Sequence, residues 1–343
     1  MKLDITPVQS KNFLFKAPYR IKEEIETISA IPSEHYLIEL EACGLCHSDL
    51  LWMAHRSKDW EKIGHEFGGK VRHCGDNTSK FQPGQQVAVK NAAPCGVCDH
   101  CTVGKARDCG DVIVNKSGFN QFFLAHERSM VDAEGLEGSL LGLVEPLGVA
   151  NDVLKAAQIR PKDRVTIYGL GAIGLMAGWL CIQKGASGVY GCARSSKCFD
   201  LAEQFGFKKC FKPGEINETI SNKILVFAPP GTLKDAVTLL MNDGLIVIAG
   251  LNDSDWDHWV PFNFESLIFK RASIIGAFGY PNLFFEDAVE QLKSGKDSLR
   301  QIITHQISFS NTPGLKEELL QSPDCIKAVF INKQAKQNSE VNA

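Results

Sequence analysis

Two hydrophobic rhythms divide the chain. Up to residue 150, short apolar runs alternate with clusters of turn residues, and Tyr36–Leu40, Val87–Lys90 and Gln121–Ala125 read as strands. From 160 to 278 the rhythm changes. Short apolar runs at Val165–Tyr168, Val189–Ala193, Ile224–Phe227, Leu245–Ala249 and Ser273–Ala277 are separated by helix-length amphipathic stretches. That alternation predicts a parallel sheet with crossover helices, because parallel neighbours need a long connection. Beyond 280 the pattern predicts a helix over Leu283–Ser294 and strands over Ile302–Phe309 and Ala328–Ile331. A polar tail from Lys333 is expected to fray. A return of the last two strands to the first region would make the N-terminal domain discontinuous. There is no internal repeat and no low-complexity tract.

The chain has 343 residues, 44% of them hydrophobic, enough for one large core or two ordinary ones. A net charge of -3 excludes the broad positive field of a nucleic-acid binder. No uncharged apolar run approaches the roughly 20 residues that span a bilayer. The opening Met1-Lys2-Leu3-Asp4 lacks the basic-then-apolar layout of a secretory signal. A cytoplasmic protein is expected, with neither membrane nor nucleic acid as partner. In a reducing compartment, clustered cysteines point to metal rather than disulfides. Cys43 and Cys46 form one cluster, and Cys95, Cys98, Cys101 and Cys109 another. Cys74, Cys181, Cys192, Cys198, Cys210 and Cys325 are scattered and read as small, mostly buried residues.

The strongest chemical signal is Cys95-x2-Cys98-x2-Cys101-x7-Cys109. Four thiolates this close in sequence can close tetrahedrally around one ion, in a loop eased by Gly96, Gly104 and Gly110. A shell of four cysteines leaves no open position, so such an ion is structural. Four free surface thiols, or an iron–sulfur cluster, are the competing readings. A second set is mixed. Cys46-His47-Ser48-Asp49 follows a strand candidate, His65 stands in Gly64-His65-Glu66, and Glu145-Pro146-Leu147 comes at the change of rhythm. One Cys, one His and a carboxylate make an N/S/O shell with room for one more ligand. Taken singly, a lone His or Glu is more often an ordinary core or solvated residue.

Val165–Tyr168 runs into Gly169-Leu170-Gly171-Ala172-Ile173-Gly174, then a helix-like stretch to Lys184. After a strand and before a helix, this is a dinucleotide fingerprint: the glycines allow a tight turn, and the helix N-terminus faces the pyrophosphate. A packing turn is the bland alternative. The end of the next strand selects the cofactor, since an NAD enzyme wants a carboxylate there for the ribose hydroxyls. Here the strand ends in Ala193, followed by Arg194-Ser195-Ser196-Lys197. Arg194 can pair with a 2′-phosphate, Ser195 and Ser196 can donate to it, and Lys197 adds charge. NADP(H) is therefore expected over NAD(H); a merely adenine-stacking Arg194 is the alternative.

These five motifs, in this order, resemble the zinc-containing medium-chain dehydrogenase family over nearly the whole chain, in particular its polyol (sorbitol-type) and threonine dehydrogenase branch. The resemblance implies an α/β fold, with a GroES-like, mainly-β catalytic domain over 1–149 and 279–343 and a Rossmann doubly wound parallel-sheet domain over 150–278. It implies two zinc ions per chain. Cys46 and His65 would hold the catalytic ion, with Glu66 or Glu145 supplying the carboxylate and the two able to exchange during turnover. Cys95, Cys98, Cys101 and Cys109, in the loop 91–111, would hold the structural ion. Asp49 would orient His65 through its other ring nitrogen, Ser48 would bond the substrate oxygen, and His47 would lie on the cofactor side. Zinc lowers the pKa of a bound hydroxyl, as it brings bound water to about 7. Cys43 reads as a strand residue pointing elsewhere. Two departures stand out: Leu51 replaces the outer relay histidine of many relatives, leaving His47, His55 or water for that task, and the segment between Trp52 and Gly64 is short. The reaction implied is hydride transfer between a secondary alcohol of the polyol or sugar class and NADP(H). A threonine-type amino-alcohol dehydrogenase and a keto-sugar or cyclitol reductase are the enzyme alternatives, and a non-catalytic zinc- and nucleotide-binding relative is the other. A homodimer or homotetramer is expected, with strands near 273–280 pairing across a two-fold axis.

Overall fold

A computed structural model describes residues 2–250, 262–315, 322 and 324–333. The polar tail expected beyond Lys333 lies outside the described residues. The chain opens in a long antiparallel hairpin, β1 (Lys2–Lys16) and β2 (Arg20–Pro32). The first half continues through β3 (His35–Gly44), α1 (His47–Leu51), β4 (Glu66–Cys74), β5 (Gln86–Val89) and β6 (Ala92–Ala93). Then come α2 (Asp99–Thr102), β7 (Ile113–Val114), β8 (Phe122–His126) and β9 (Met130–Asp132). After α3 (Val144–Ala157) strands and helices alternate: β10 (Arg164–Tyr168), α4 (Ala172–Gln183), β11 (Gly188–Cys192), α5 (Phe199–Gln204), β12 (Lys209–Phe211), β13 (Ser221–Val226), α6 (Leu233–Leu239), β14 (Leu240–Ile248), α7 (Glu265–Lys270) and β15 (Ser273–Gly276). The chain ends with α8 (Phe285–Ser294), α9 (Lys296–Leu299), β16 (His305–Ser308) and β17 (Ala328–Ile331).

Contacts divide the chain into Met1–Glu145 with Tyr280–Ala343, and Pro146–Gly279. The first unit is built on a sheet ordered β16-β17-β3-β4-β5-β9, with β8 also on β3. Central β3 is buried nearly throughout; one face is apolar (Tyr36, Ile38, Leu40, Ala42), while the other includes Glu39, buried and paired with Arg72. Its core is aromatic, with Phe15 against Phe119, Phe67 against Phe123 and Phe119 against Phe330 at centroid distances of 4.9–5.0 Å. Those edge-on contacts bring the positive edge of one ring to the negative face of another. The second unit is a parallel sheet ordered β12-β11-β10-β13-β14-β15. Among the described residues no helix is long and apolar enough to cross a membrane.

The short strand readings hold to within a few residues. Three points differ. The expected strand Ile302–Phe309 is shorter: Arg300–Ile302 is a 3-10 turn, and only His305–Ser308 pairs with β17. Phe309 instead starts a 3-10 segment and buries its ring against Phe13. The hairpin of β1 and β2 gives a weak periodic signal because few of its residues are buried and those of β1 fall in a run, Asn12–Phe15, instead of alternating. Strand β12 is three residues long with Phe211 as its one buried side chain, too short for periodicity to register.

Candidate metal and cofactor sites

The register of two neighbouring strands assembles the first site. β3 pairs antiparallel with β4, and Gly44 faces Glu66. Cys46, just past the end of β3, and His65, just before β4, are thereby brought together. Gly44 has to be glycine for this: a Cβ there would sit 2.5 Å from the main-chain carbonyl oxygen of Gly142 and 2.3 Å from Glu66 Oε2. The Cys46 sulfur, a His65 ring nitrogen and a Glu66 carboxylate oxygen lie within 4.8 Å of one another. One sulfur, one nitrogen and one oxygen suit zinc, whose bonds of about 2.0–2.3 Å bring tetrahedral ligands to roughly 3.5 Å apart.

Asp49 fixes the geometry. It is buried at the third position of α1, whose cap is Cys46. Its carboxylate accepts the Cys46 N–H at 3.1 Å and the Gly64 N–H at 3.3 Å, and lies 3.3 Å from His65 Nδ1. Burial alone would raise the Asp49 carboxyl, but His65 and these N–H donors hold it below the usual range. Burial likewise opposes charge on His65, yet the Asp49 carboxylate and the Cys46 sulfur outweigh it and lift the imidazole well above its ordinary value. The negative field that favours a proton there equally favours a divalent cation, with Asp49 leaving the other ring nitrogen for the ion.

Glu145 stands outside the three-donor set. It lies in the first turn of α3, where Asn91 Nδ2 donates to its Oε1 at 2.9 Å and Asn282 Nδ2 donates to its main-chain carbonyl at 2.9 Å. Burial raises the Glu145 carboxyl to about 7. Cys43 is buried in the core cluster with Phe119 and Phe330 and is not one of the three donors. Ser48 and His47 are exposed on α1, and Leu51 closes it.

Two site residues escape sequence reading. Asn91 is one; the other is Lys327, whose buried ammonium pairs with Glu66 and donates to the Leu45 carbonyl at 3.1 Å. The register of β17 on β3, with Val329 facing Gly44, delivers Lys327 to this place. Burial works against its charge, but Glu66, with Cys46 and Glu145, holds the proton on more firmly than usual. Lys327→Met removes the one cation from a buried carboxylate. Metal-free protein carrying it is expected to lose about 3–5 kcal/mol in denaturant unfolding, with less lost when Glu66→Gln is added. Equal losses in the single and double variants would contradict the pairing.

In the second cluster Cys95, Cys98, Cys101 and Cys109 converge. Cys95 and Cys101 sulfurs are 3.9 Å apart, as are those of Cys98 and Cys109. Main-chain N–H groups surround them: Val97 and Cys98 donate to Cys95 Sγ, and Asp111 donates to Cys109 Sγ. Chiefly through those two N–H groups the Cys95 thiol falls to about 6, while burial pushes Cys101 up to about 12. Such N–H support for sulfur charge suits a tetrathiolate shell without an open position. No cysteine is in a disulfide among the described residues; of the six scattered ones only Cys181 and Cys192 are buried, while Cys74, Cys198, Cys210 and Cys325 are half-buried, fewer buried than expected.

In the second unit, β10 runs into Gly169 at φ +92 and then α4. A Cβ on Gly174 would lie 1.9 Å from the Gly169 carbonyl, whereas Gly171 faces open space. The turn is thus closed on itself and open towards a ligand. Gly169, Gly171, Ala193, Arg194 and Ser195 help line a cavity of about 430 Å³, together with Cys198, Pro213 and Thr232. Ala172, Ile173 and Gly174 form the first turn of α4. Lys197 is not in that lining; its N–H donates to Ser195 Oγ at 3.3 Å.

Comparison with known proteins places the chain in a family. Residues 32–135 match the alcohol dehydrogenase GroES-like domain, and residues 172–294 match the zinc-binding dehydrogenase domain. The chain is 28% identical to the uncharacterized zinc-type alcohol dehydrogenase-like protein YdjJ of Escherichia coli, over 92% of this chain and 98% of that protein. It is 25% identical to sorbitol dehydrogenase of Bacillus subtilis, over 90% and 93% respectively. Its fold is similar to that of L-idonate 5-dehydrogenase of Escherichia coli, with a TM-score of 0.85, 19% identity and coverage of 95% and 99%. The chain belongs to the zinc-containing medium-chain dehydrogenase family, an oxidoreductase of the alcohol dehydrogenase type with a GroES-like and a Rossmann-type part.

Proposed function

We propose that this enzyme interconverts a secondary alcohol of the polyol, sugar or sugar-derived class and the matching carbonyl compound, exchanging hydride with NADP(H) in preference to NAD(H). The observation that carries the reading is the meeting of Cys46, His65 and Glu66 within 4.8 Å, with Asp49 fixing the imidazole. Cys46, His65 and Glu66 would hold zinc, with Glu145 as the alternate carboxylate, and the ion would supply Lewis acidity that lowers the pKa of an alcohol. Ser48, exposed beside Cys46, takes the proton of the substrate hydroxyl, and His47, His55 or water carries it outward in place of the histidine that Leu51 lacks. Cys95, Cys98, Cys101 and Cys109 hold a second, structural ion. We assign the zinc chemistry to 1–149 with 279–343 and the dinucleotide to 150–278. The likeness to a sorbitol dehydrogenase supports a polyol substrate. A homodimer or homotetramer is supported by β15, an edge strand of its sheet that leaves Ile275 and the nearby Phe278 exposed.

The cofactor reading rests on Ala193, Arg194 and Ser195 lining the cavity with no carboxylate at the end of β11. Arg194→Ala should cost NADP-linked kcat/KM about tenfold to a hundredfold, with far less change for NAD, as expected of one charge-assisted contact. Steady-state assays of a polyol and amino-alcohol panel with both cofactors provide the test. A clear preference for NAD in the unaltered enzyme would refute the NADP assignment.

A further inference from the structure

The second carboxylate of the site is held at two points. Asn282 Nδ2 donates to the main-chain carbonyl of Glu145, and Asn91 Nδ2 donates to its side-chain Oε1, both at 2.9 Å. Glu145 lies near enough to His65, Glu66 and Lys327 to feel their charges, yet its carboxylate is outside the set of donors that meet within 4.8 Å.

Asn91 is itself firmly placed. It stands between β5 and β6, where Lys90 N–H donates to the Ser129 carbonyl at 2.8 Å and Asn115 N–H donates to the Asn91 carbonyl at 2.8 Å. Asn115 Nδ2 also donates to the Lys90 carbonyl at 2.7 Å. The Asn91 side chain is buried, and its Oδ1 has no hydrogen-bond partner among the described residues. A buried acceptor left without a partner is costly. An apolar side chain of similar size would fill the space without that cost, so what the amide adds is its bond to Glu145. Zinc takes four ligands, and a catalytic site leaves one of those places to water or substrate. Cys46, His65 and Glu66 make three. A free Glu145 carboxylate would be drawn to the cation as a fourth and would close the shell.

Resting on the zinc reading above, we infer that Asn91 is a positioning residue: it holds Glu145 back and so keeps the shell of Cys46, His65 and Glu66 open to substrate. It acts through Glu145 and does no chemistry of its own.

The test measures zinc affinity by chelator competition in the unaltered protein, in Asn91→Leu and in Asn91→Leu with Glu145→Gln. The ion missing from Cys46→Ser identifies the site in question. Asn91→Leu is expected to bind that ion about tenfold more tightly while losing about tenfold or more in kcat/KM. Adding Glu145→Gln should return the affinity to its unaltered value. A residue that only packs the site would act in the opposite direction: its loss would weaken zinc binding, and the second change would not restore it. Asn91→Ala repeats the comparison with a smaller side chain should leucine prevent folding. Cobalt(II)-loaded resting enzyme gives a readout with no change at Asn91. Glu145→Gln should leave its coordination bands in place, because Glu145 is held outside the shell, and shifted bands overturn the inference. Unchanged or weakened zinc binding in the Asn91 variants also overturns it and leaves the zinc reading standing. If the unaltered protein binds no ion that Cys46→Ser removes, the zinc reading falls and the inference falls with it.

Discussion

Cys46→Ser is expected to lower kcat/KM for alcohol oxidation by about a thousandfold or more and to remove one zinc ion per chain while leaving the other. The size follows from the shell. Cys46 supplies the one sulfur in a set with a single nitrogen and a single carboxylate oxygen. A neutral hydroxyl cannot replace a thiolate as a charged ligand, and Asp49 cannot move in, since its oxygens are engaged by Cys46 N–H, Gly64 N–H and His65. Asp49→Asn should be milder, about tenfold to a hundredfold, because it leaves every donor in place and loosens only the aim of His65. Metal analysis on the same samples separates the two: one ion lost for Cys46→Ser, weakened retention for Asp49→Asn. Full activity in a Cys46→Ser protein with one zinc ion would refute the site.

The difference between the residues found by reading the chain and those found only in the fold is one of range. Cys46, Asp49, His65 and Glu66 were legible because each sits in a short motif at a strand end, where the backbone itself sets the geometry. The same holds for the glycine turn at Gly169–Gly174 and for the four-cysteine loop, both local constructions. Lys327 was not legible. A lysine before an apolar tetrapeptide looks like any solvated charge, and only the pairing of β17 with β3 carries it to Glu66. Asn91 is similar: its role is set by Glu145, which arrives on α3 from a distant part of the sequence. The parallel sheet was legible from its alternating apolar runs. The β1–β2 hairpin was not, because strands whose few buried residues do not alternate with exposed ones leave little pattern to read.

The two carboxylates near the site are restrained by different means, and this bears on which one meets the ion. Glu66 is within the donor set but tied to Lys327, a full positive charge. Glu145 is outside it and tied to an amide, with burial lifting its carboxyl to about 7. A cation entering between Cys46 and His65 would stabilise the charged form of either one. Glu66 needs to share its charge with Lys327, whereas Glu145 needs to exchange one neutral hydrogen bond and a proton. This arrangement favours Glu66 as the first carboxylate met and leaves Glu145 available at modest cost.

Loss of the four-cysteine loop should affect stability far more than chemistry. Cys98→Ser is expected to bind one zinc ion instead of two and to lower the melting temperature by roughly 5–15 °C, with activity per folded molecule largely kept. The loop has little else to hold it: Val97 and Val103 are exposed, and its helical pieces, α2 and the 3-10 turn Ala106–Asp108, are single turns with no buried residue. Without a cation its sulfurs conflict, since Cys95 ionises near 6 while Cys101 is held protonated up to about 12. Binding an ion therefore expels protons, at neutral pH chiefly from thiols such as Cys101. Zinc affinity should fall as pH is lowered through 6, because Cys95 then also has to be deprotonated. Calorimetric titration of zinc into Cys46→Ser apoprotein isolates this site, and repeating it in buffers of different ionisation enthalpy counts the protons released. Proton release close to zero, or a melting temperature unchanged in Cys98→Ser, would mean that the loop holds its shape without a metal.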